Sequence, residues 1–360
     1  MRLRKVVTKL TGFASLIAVL AAFLLGVVIL LGVGANPLQA YRALFVGAFG
    51  NLEAIINTAV KATPILFVAI GVIISFRGGV LNIGGQGQLI VGALTAVAIA
   101  LAFPNCAGWL MITFCLLASF ITGGIWGGIA GSLKAYFNVN EILSTIMLNY
   151  VAFLGMNYLL RGPIMDPLQK ELGSYIPQTA QIPVQYFLPR FSRTPLHLGV
   201  LIVIVLAVAT YIFLWRTTIG FRIRTTGENL RAARGAGINV GGYQVLSLSL
   251  AGSFAGLGGA VQVLGIYHRL FTTGSALGFT GSAGFNGIVA ALFGQLHPIG
   301  AIPASFLFGA LNTGGNSMQR AVQVPSALTT ALSGLVVVFV VASEAIRRRH
   351  SRKAQRDEVS

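Results

Sequence analysis

What most limits this chain is the repetition of apolar runs long enough to cross a bilayer, with the charge gathered in short segments between them. A crossing needs roughly 20 apolar residues. On that basis the sequence predicts spans near 13–34, 51–76, 80–103, 107–131, 141–160, 196–215, 243–265, 284–299, 300–317 and 326–346. Charged residues make up only 9% of the chain, whereas a soluble domain carries about 25%. A water-facing surface cannot be coated at that density, and a disordered chain is excluded on the same ground. The expected fold is an all-α integral membrane protein of about ten transmembrane helices, with residues 1–346 as one membrane domain and 347–360 as a basic tail. Arg2, Arg4, Lys5 and Lys9 before the first run look like the start of a signal peptide. That run is about twice the length of a typical signal core, so it is expected to stay as the first span.

The net charge of +17 does not point to nucleic acid, because the basic residues lie in clusters between spans. Lys and Arg are enriched on the cytoplasmic side of membrane proteins. With ten crossings, seventeen of the 25 basic residues fall in segments on the side of the termini, chiefly 1–12, 216–242 and the tail from Arg347. Both termini are therefore expected in the cytoplasm, with 161–195 as a long outer loop. Five spans precede that loop and five follow, so any duplication must be inverted, as in many transporters with paired broken helices. Gly78–Gln88 and Gly274–Gly287 are the candidate pair; alternatively their glycines only let helices pack closely. Cys106 and Cys115 have no framework spacing, and four scattered histidines suggest no metal site.

Asn82, Gln86 and Gln88 are amides in an apolar setting, where unpaired polar groups are costly. They either face a solute or tie broken helix ends together; an amide suits a neutral polyhydroxylated or heterocyclic solute better than an ion. Asn138 or Asn140 can cap the fifth span, with Glu141 at its positive end. Asn149, on the same face as Glu141 and Thr145, either lines a pathway or bonds a neighbouring helix. Lys61 is an intramembrane charge and Pro64 should loosen its helix, which points to a structural or gating role. Gly123, Gly127 and Gly131, and Gly252, Gly256 and Ala260, form small-residue rows for helix packing. In 216–242, Thr225–Glu228 reads as a capping box and Asn229–Ala236 as a short helix stopped by Gly237. That helix suits a groove on another protein or a layer of anionic headgroups. No enzyme constellation is present: none of the six lysines is followed by Ser or Thr, so there is no Walker loop.

Several motifs in order carry a family resemblance. They are Lys61-Ala62-Thr63-Pro64, Phe76-Arg77-Gly78-Gly79, Asn82-Ile83-Gly84 with Gly87-Gln88, Asn140-Glu141 to Asn149-Tyr150, Gly227-Glu228-Asn229 to Gly237-Ile238-Asn239, and Gly284-Phe285-x-Gly287 to His297-Pro298-Ile299-Gly300. Over about residues 50–345 the chain resembles permeases of nucleoside-type ABC importers, in the superfamily of ribose and branched-chain amino-acid permeases. The resemblance implies a multi-pass subunit of the cell inner membrane, paired with a second permease, two ATP-binding cassette ATPases and an external solute-binding lipoprotein. It implies no cofactor on this chain, ATP being used by the partners, and no nucleic acid. Gly227, Glu228, Asn229, Ala232, Ala233 and Gly237 would then belong to the helix that meets the ATPase. The loop 161–195 looks like the outer insertion of the longer permease in systems with two different chains. Phe285 and Asn286 would join Asn82, Gln86, Gln88 and Asn149 along the solute pathway. Many members carry Glu at the position of Gln86 and often Asp at that of Asn286, so no charge would face solute here. Nucleosides are the expected class, with a monosaccharide or flavin-like solute as the alternative. A self-contained secondary transporter is the rival of another class, but only Lys61 and Glu141 offer it coupling groups.

Overall fold

The computed structural model describes residues 20–171, 173, 176–191, 194–273 and 278–325, with 327–328, 330–332, 334–335, 338–339 and 342. In chain order its helices are α1 (Leu20–Gly32), α2 (Pro37–Phe49), α3 (Leu52–Arg77), α4 (Gly85–Ala102), α5 (Gly108–Phe137), α6 (Glu141–Arg161) and α7 (Pro167–Glu171). They continue with α8 (Leu198–Arg216), α9 (Thr218–Glu228), α10 (Leu230–Gly235), α11 (Val240–Gln262), α12 (Ala283–Phe293) and α13 (Pro298–Val322). A π-helical turn, Val263–Tyr267, extends α11. No strand occurs among the described residues, only isolated bridges at Gln178–Phe271 and Arg190–His197.

Among the described residues six helices are long and apolar enough to cross a membrane: α3, α4, α5, α6, α8 and α11 with its π turn. They match the expected second to seventh spans, with two main shifts. The third starts as helix only at Gly85 and the fourth runs on to Phe137. The expected eighth span is the 11-residue α12. At about 1.5 Å per residue α12 covers only about 16 Å and cannot cross alone. The expected tenth span, the tail and the first residues of the first span lie largely or wholly outside the described residues.

The chain forms two compact units, Met1–Lys61 with Phe306–Ser360, and Ala62–Ser305. The first is centred on Leu30, Ala40, Leu44, Met318 and Val324. Its α2 falls where a loop was expected. Asn36 Oδ1 accepts from Leu38 N at 3.0 Å and Pro37 occupies the first turn, a start signal present in the sequence as Asn-Pro. In the second unit α4, α5 and α11 pack almost backbone to backbone. A Cβ on Gly256 would stand 3.0 Å from Gly123 Cα, and one on Gly131 2.9 Å from Val245 Cα, so the small-residue rows do bring helices together.

Local chemistry explains the joints. Asn138 ends α5 in the left-handed region (φ 54°), and Asn140 Oδ1 starts α6 by accepting from Ile142 N at 2.9 Å. Lys134 Nζ reaches back to Glu141 Oε2 at 2.9 Å across this turn. The capping box expected at Thr225–Glu228 is corrected. Both threonines sit at the end of α9, where their hydroxyls donate to Phe221 O and Arg222 O. Asn229 is the cap of α10, accepting from Arg231 N at 3.0 Å and Ala232 N at 3.1 Å.

Candidate functional site

The starts of α4 and α12 meet inside the second unit, and a set of amides holds them there. After Arg77 the chain leaves the helix, turns at Gly79 (φ 76°) and runs unwound to Gly84. Asn82 and Gln88 are each 1% exposed and bond reciprocally: Asn82 Nδ2 donates to Gln88 Oε1 at 3.0 Å, and Gln88 Nε2 to Asn82 Oδ1 at 3.3 Å. Asn82 Oδ1 also accepts from Gly84 N at 2.9 Å. From α6, Asn149 clamps the same turn, accepting from Gly87 N at 2.7 Å and donating to Ile83 O at 2.9 Å. Thr145 Oγ1 accepts from Ile83 N at 3.3 Å. Ile83 N and O, Gly84 N and Gly87 N at the unwound α4 start are thereby paired within the protein.

Gln86 makes the link to α12. Its Nε2 donates to Thr280 Oγ1 and to Gly281 O at 3.0 Å, and its Oε1 accepts from Gly284 N at 3.0 Å. The approach is so close that a Cβ on Gly284 would stand 2.7 Å from Gln86 N. Of the two readings of these amides, tying broken helix ends together is what their hydrogen bonds do. Asn286 differs. It is 5% exposed, yet no hydrogen bond of its side chain is found among the described residues. Beside it Phe285 is 47% exposed. The residues brought together are thus Asn82, Gln86, Gln88, Asn149, Asn286 and Phe285. Lys61 lies half-buried in α3, three residues before Pro64, which sits inside the helix without ending it.

On the segment expected to meet another protein, Glu228, Asn229 and Ala232 are exposed, while Ala233 is fully buried. Ala233 therefore serves the packing of α10 against its own chain. Gly237 (φ 73°) follows the last turn of α10. Gly227 packs on the Arg77–Gly79 turn, a Cβ there standing 2.7 Å from Gly79 N.

Two clusters were not foreseen. At one end of α8, Trp215 lies under the guanidinium groups of Arg77 (5.3 Å) and Arg224 (5.6 Å), with the His297 ring 5.2 Å away. Burial and the nearby Arg77 charge hold His297 below its ordinary pKa. At the other end, Arg190 Nη2 lies 2.8 Å from His268 Nε2, and Phe187 stacks on His268 at 3.5 Å. Burial, then the Arg190 charge, lowers both His197 and His268 to about 4. The loop 176–191 is pinned beside them by Thr179 N to Leu270 O (2.9 Å) and Leu188 N to Leu264 O (2.9 Å). These partners are far apart in sequence, so no local pattern announces their meeting, although the motifs holding Arg77 and His297 stand out separately.

Comparison with known proteins adds the family. The profile described as branched-chain amino acid transport system / permease component matches residues 54–341. A guanosine ABC transporter permease of Bacillus subtilis, NupP, is 34% identical over 92% of this chain and 93% of its own length. A glucose ABC transporter permease of Haloferax volcanii, TsgB13, is 33% identical over 92% of this chain and 87% of its own. A nucleoside ABC transporter permease of Lactococcus lactis, NupB, is 30% identical over 90% and 89%. No solved structure matches the chain significantly. Its apolar helices, their broken starts and this full-length likeness agree: the chain belongs to the branched-chain amino acid transport system / permease component family.

Proposed function

We propose that the chain is a permease subunit of an ATP-binding cassette importer and forms part of the translocation pathway for nucleosides. The observation that carries this reading is the near full-length likeness to permeases named for guanosine and nucleoside transport. The likeness to a glucose permease keeps a monosaccharide as the second reading, with a flavin-like solute beside it. ATP is hydrolysed by partner subunits: two cassette ATPases beneath, with a second permease, a different chain, alongside and an external lipoprotein delivering the solute. The chain resides in the inner membrane as a multi-pass protein and binds no cofactor of its own.

The topology proposed is ten crossings in a 5+5 inverted arrangement, with both termini cytoplasmic, 161–195 outside and 216–242 inside. The meeting of two unwound helix starts at Gln86 and Gly284 supports the paired broken helices of that arrangement. Gly284 is ten residues from Gly294, the C-cap of α12, so it lies about 15 Å from that end, half of a roughly 30 Å hydrocarbon core. Phe285 offers a planar face for a nucleobase, and Asn286 offers a donor and an acceptor to its edge. Asn82, Gln86, Gln88 and Asn149 hold the junction from which these two project. Glu228, Asn229 and Ala232 present the surface for the ATPase. Lys61 and Pro64 act in gating, and Asn140 and Glu141 fix the α5–α6 turn.

The test is ATP-dependent uptake in proteoliposomes holding this chain with the second permease, ATPase and lipoprotein of its system. Uptake of labelled guanosine or adenosine, uncompeted by glucose, is expected. Uptake of glucose alone moves the reading to sugars, and uptake by the lone chain under an ion gradient replaces it with a secondary carrier.

A further inference from the structure

We propose that Arg77 is the positioning residue through which movement of the cytoplasmic helices α9 and α10 reaches both broken helices at once. The inference rests on the ATPase-driven permease reading above. Its basis is a closed ring of contacts within the second unit. A Cβ on Gly227 would collide with Arg77 O, and one on Gly79 would stand 2.8 Å from Gly227 Cα. The end of α9 thus touches the Arg77–Gly79 turn backbone to backbone, with no side chain between to absorb a displacement. From that turn the backbone leads directly to Asn82 and Gln86. The Arg77 side chain goes the other way. Its Nε donates to Leu296 O at 3.1 Å and its Nη2 to Gln295 O at 3.4 Å.

Those two carbonyls belong to consecutive non-glycine residues in the left-handed region, Gln295 (φ 57°) and Leu296 (φ 53°). They form the turn that ends α12, tied back by Leu296 N to Ala291 O at 2.8 Å. At the far end of α12, Gly284 N returns to Gln86 Oε1 and closes the ring. Trp215 braces the guanidinium from below, and Arg224 of α9 rests on the same indole while its Nε donates to Leu214 O at 2.9 Å. A shift of α9 therefore cannot move the start of α4 without also loading the end of α12. An anchoring cation would need only charge, so Lys would serve; two carbonyls and an indole call for the planar fork of Arg.

The experiment uses the whole complex with Cys106 and Cys115 replaced by Ser and Leu81, 38% exposed on the unwound turn, replaced by Cys. The rate of thiol labelling at Leu81→Cys is read with and without ATP, and needs no solute. It is expected to change on ATP addition with Arg77 present, and the change is expected to shrink about five- to ten-fold in R77K, which keeps the charge, and in R77Q. ATPase assembly is expected to persist in R77K. An ATP response in R77K equal to that with Arg77, or no ATP response at Leu81→Cys in the otherwise unmodified complex, overturns the proposal. If R77Q does not assemble, R77K decides alone. Failure of nucleoside uptake with an intact, Arg77-dependent labelling response would instead count against the substrate reading.

Discussion

Gln86 and Asn286 are both buried amides, and their surroundings give them different work. Gln86 accepts from the buried Gly284 N and donates to Gly281 O, so Gln86→Ala leaves the buried Gly284 N unpaired, at about 1–3 kcal/mol, while Gly281 O keeps the Thr280 hydroxyl. A clear drop in thermal unfolding temperature of the purified chain is expected, with uptake falling as a consequence. Asn286→Ala strands no backbone partner. Its melting temperature should stay near that of the parent while the apparent affinity for solute weakens by about two- to ten-fold, the value of one hydrogen bond. Equal thermal losses in the two variants would refute the division of roles. The sequence displayed all these amides, since polar side chains stand out in apolar runs. It could not display the partners: Thr280 lies 194 residues from Gln86, and only the folded chain sets them side by side.

Among the elements, α10 and the loop 176–191 yield the clearest consequences. Six residues are too few for a helix to persist on its own, so α10 depends on its cap. Asn229→Ala should cost about 1 kcal/mol and loosen the helix, whereas Asn229→Asp retains the acceptor. Co-purification with the ATPase should fall for the first and hold for the second; equal binding would remove α10 from the docking surface. The histidine pair beside the loop 176–191 carries a pH dependence. His197 and His268 sit at about 4 when folded and near 6.5 when unfolded. Below about 6.5 the unfolded chain takes up protons first, so stability is level above that pH and declines as pH falls toward 4. The melting temperature of a His197→Gln/His268→Gln variant should fall less steeply over that window, and parallel slopes would exclude the histidines. Periodic, strongly apolar helices were legible because length and hydropathy alone define them. The α2 helix does not show in hydropathy because its apolar content is interrupted, although Asn36-Pro37 marks its start. The Thr225–Glu228 capping box misled because a hydroxyl can bond four residues back as readily as it caps forward.

For the whole molecule the sharpest consequence is one of sidedness, because α8 alone separates two loops with different proposed partners. Leu198–Arg216 is long and apolar enough for one crossing, and that crossing predicts 176–191 and the α9–α10 segment on opposite faces of the bilayer whatever the total number of spans. The basic residues Arg216, Arg222, Arg224, Arg231 and Arg234 predict a cytoplasmic place for the second. Val184 is 74% exposed and Arg231 is exposed on α10, so each can carry a reporter thiol once Cys106 and Cys115 are replaced by Ser. In intact cells a membrane-impermeant maleimide should label Val184→Cys at once and Arg231→Cys only after permeabilisation. A tag after Ser360 should be protected in the same cells if the crossings number ten. Protection of both the tag and Arg231→Cys would support the even count, because the stretch between them would start and end on one side. An exposed tag with a protected Arg231→Cys would mean an odd number of crossings after α9, and would remove the inverted 5+5 arrangement while leaving the docking surface in the cytoplasm. Exposure of Arg231→Cys itself would put α9 and α10 beyond the reach of any ATPase, and the coupling role would fall with it.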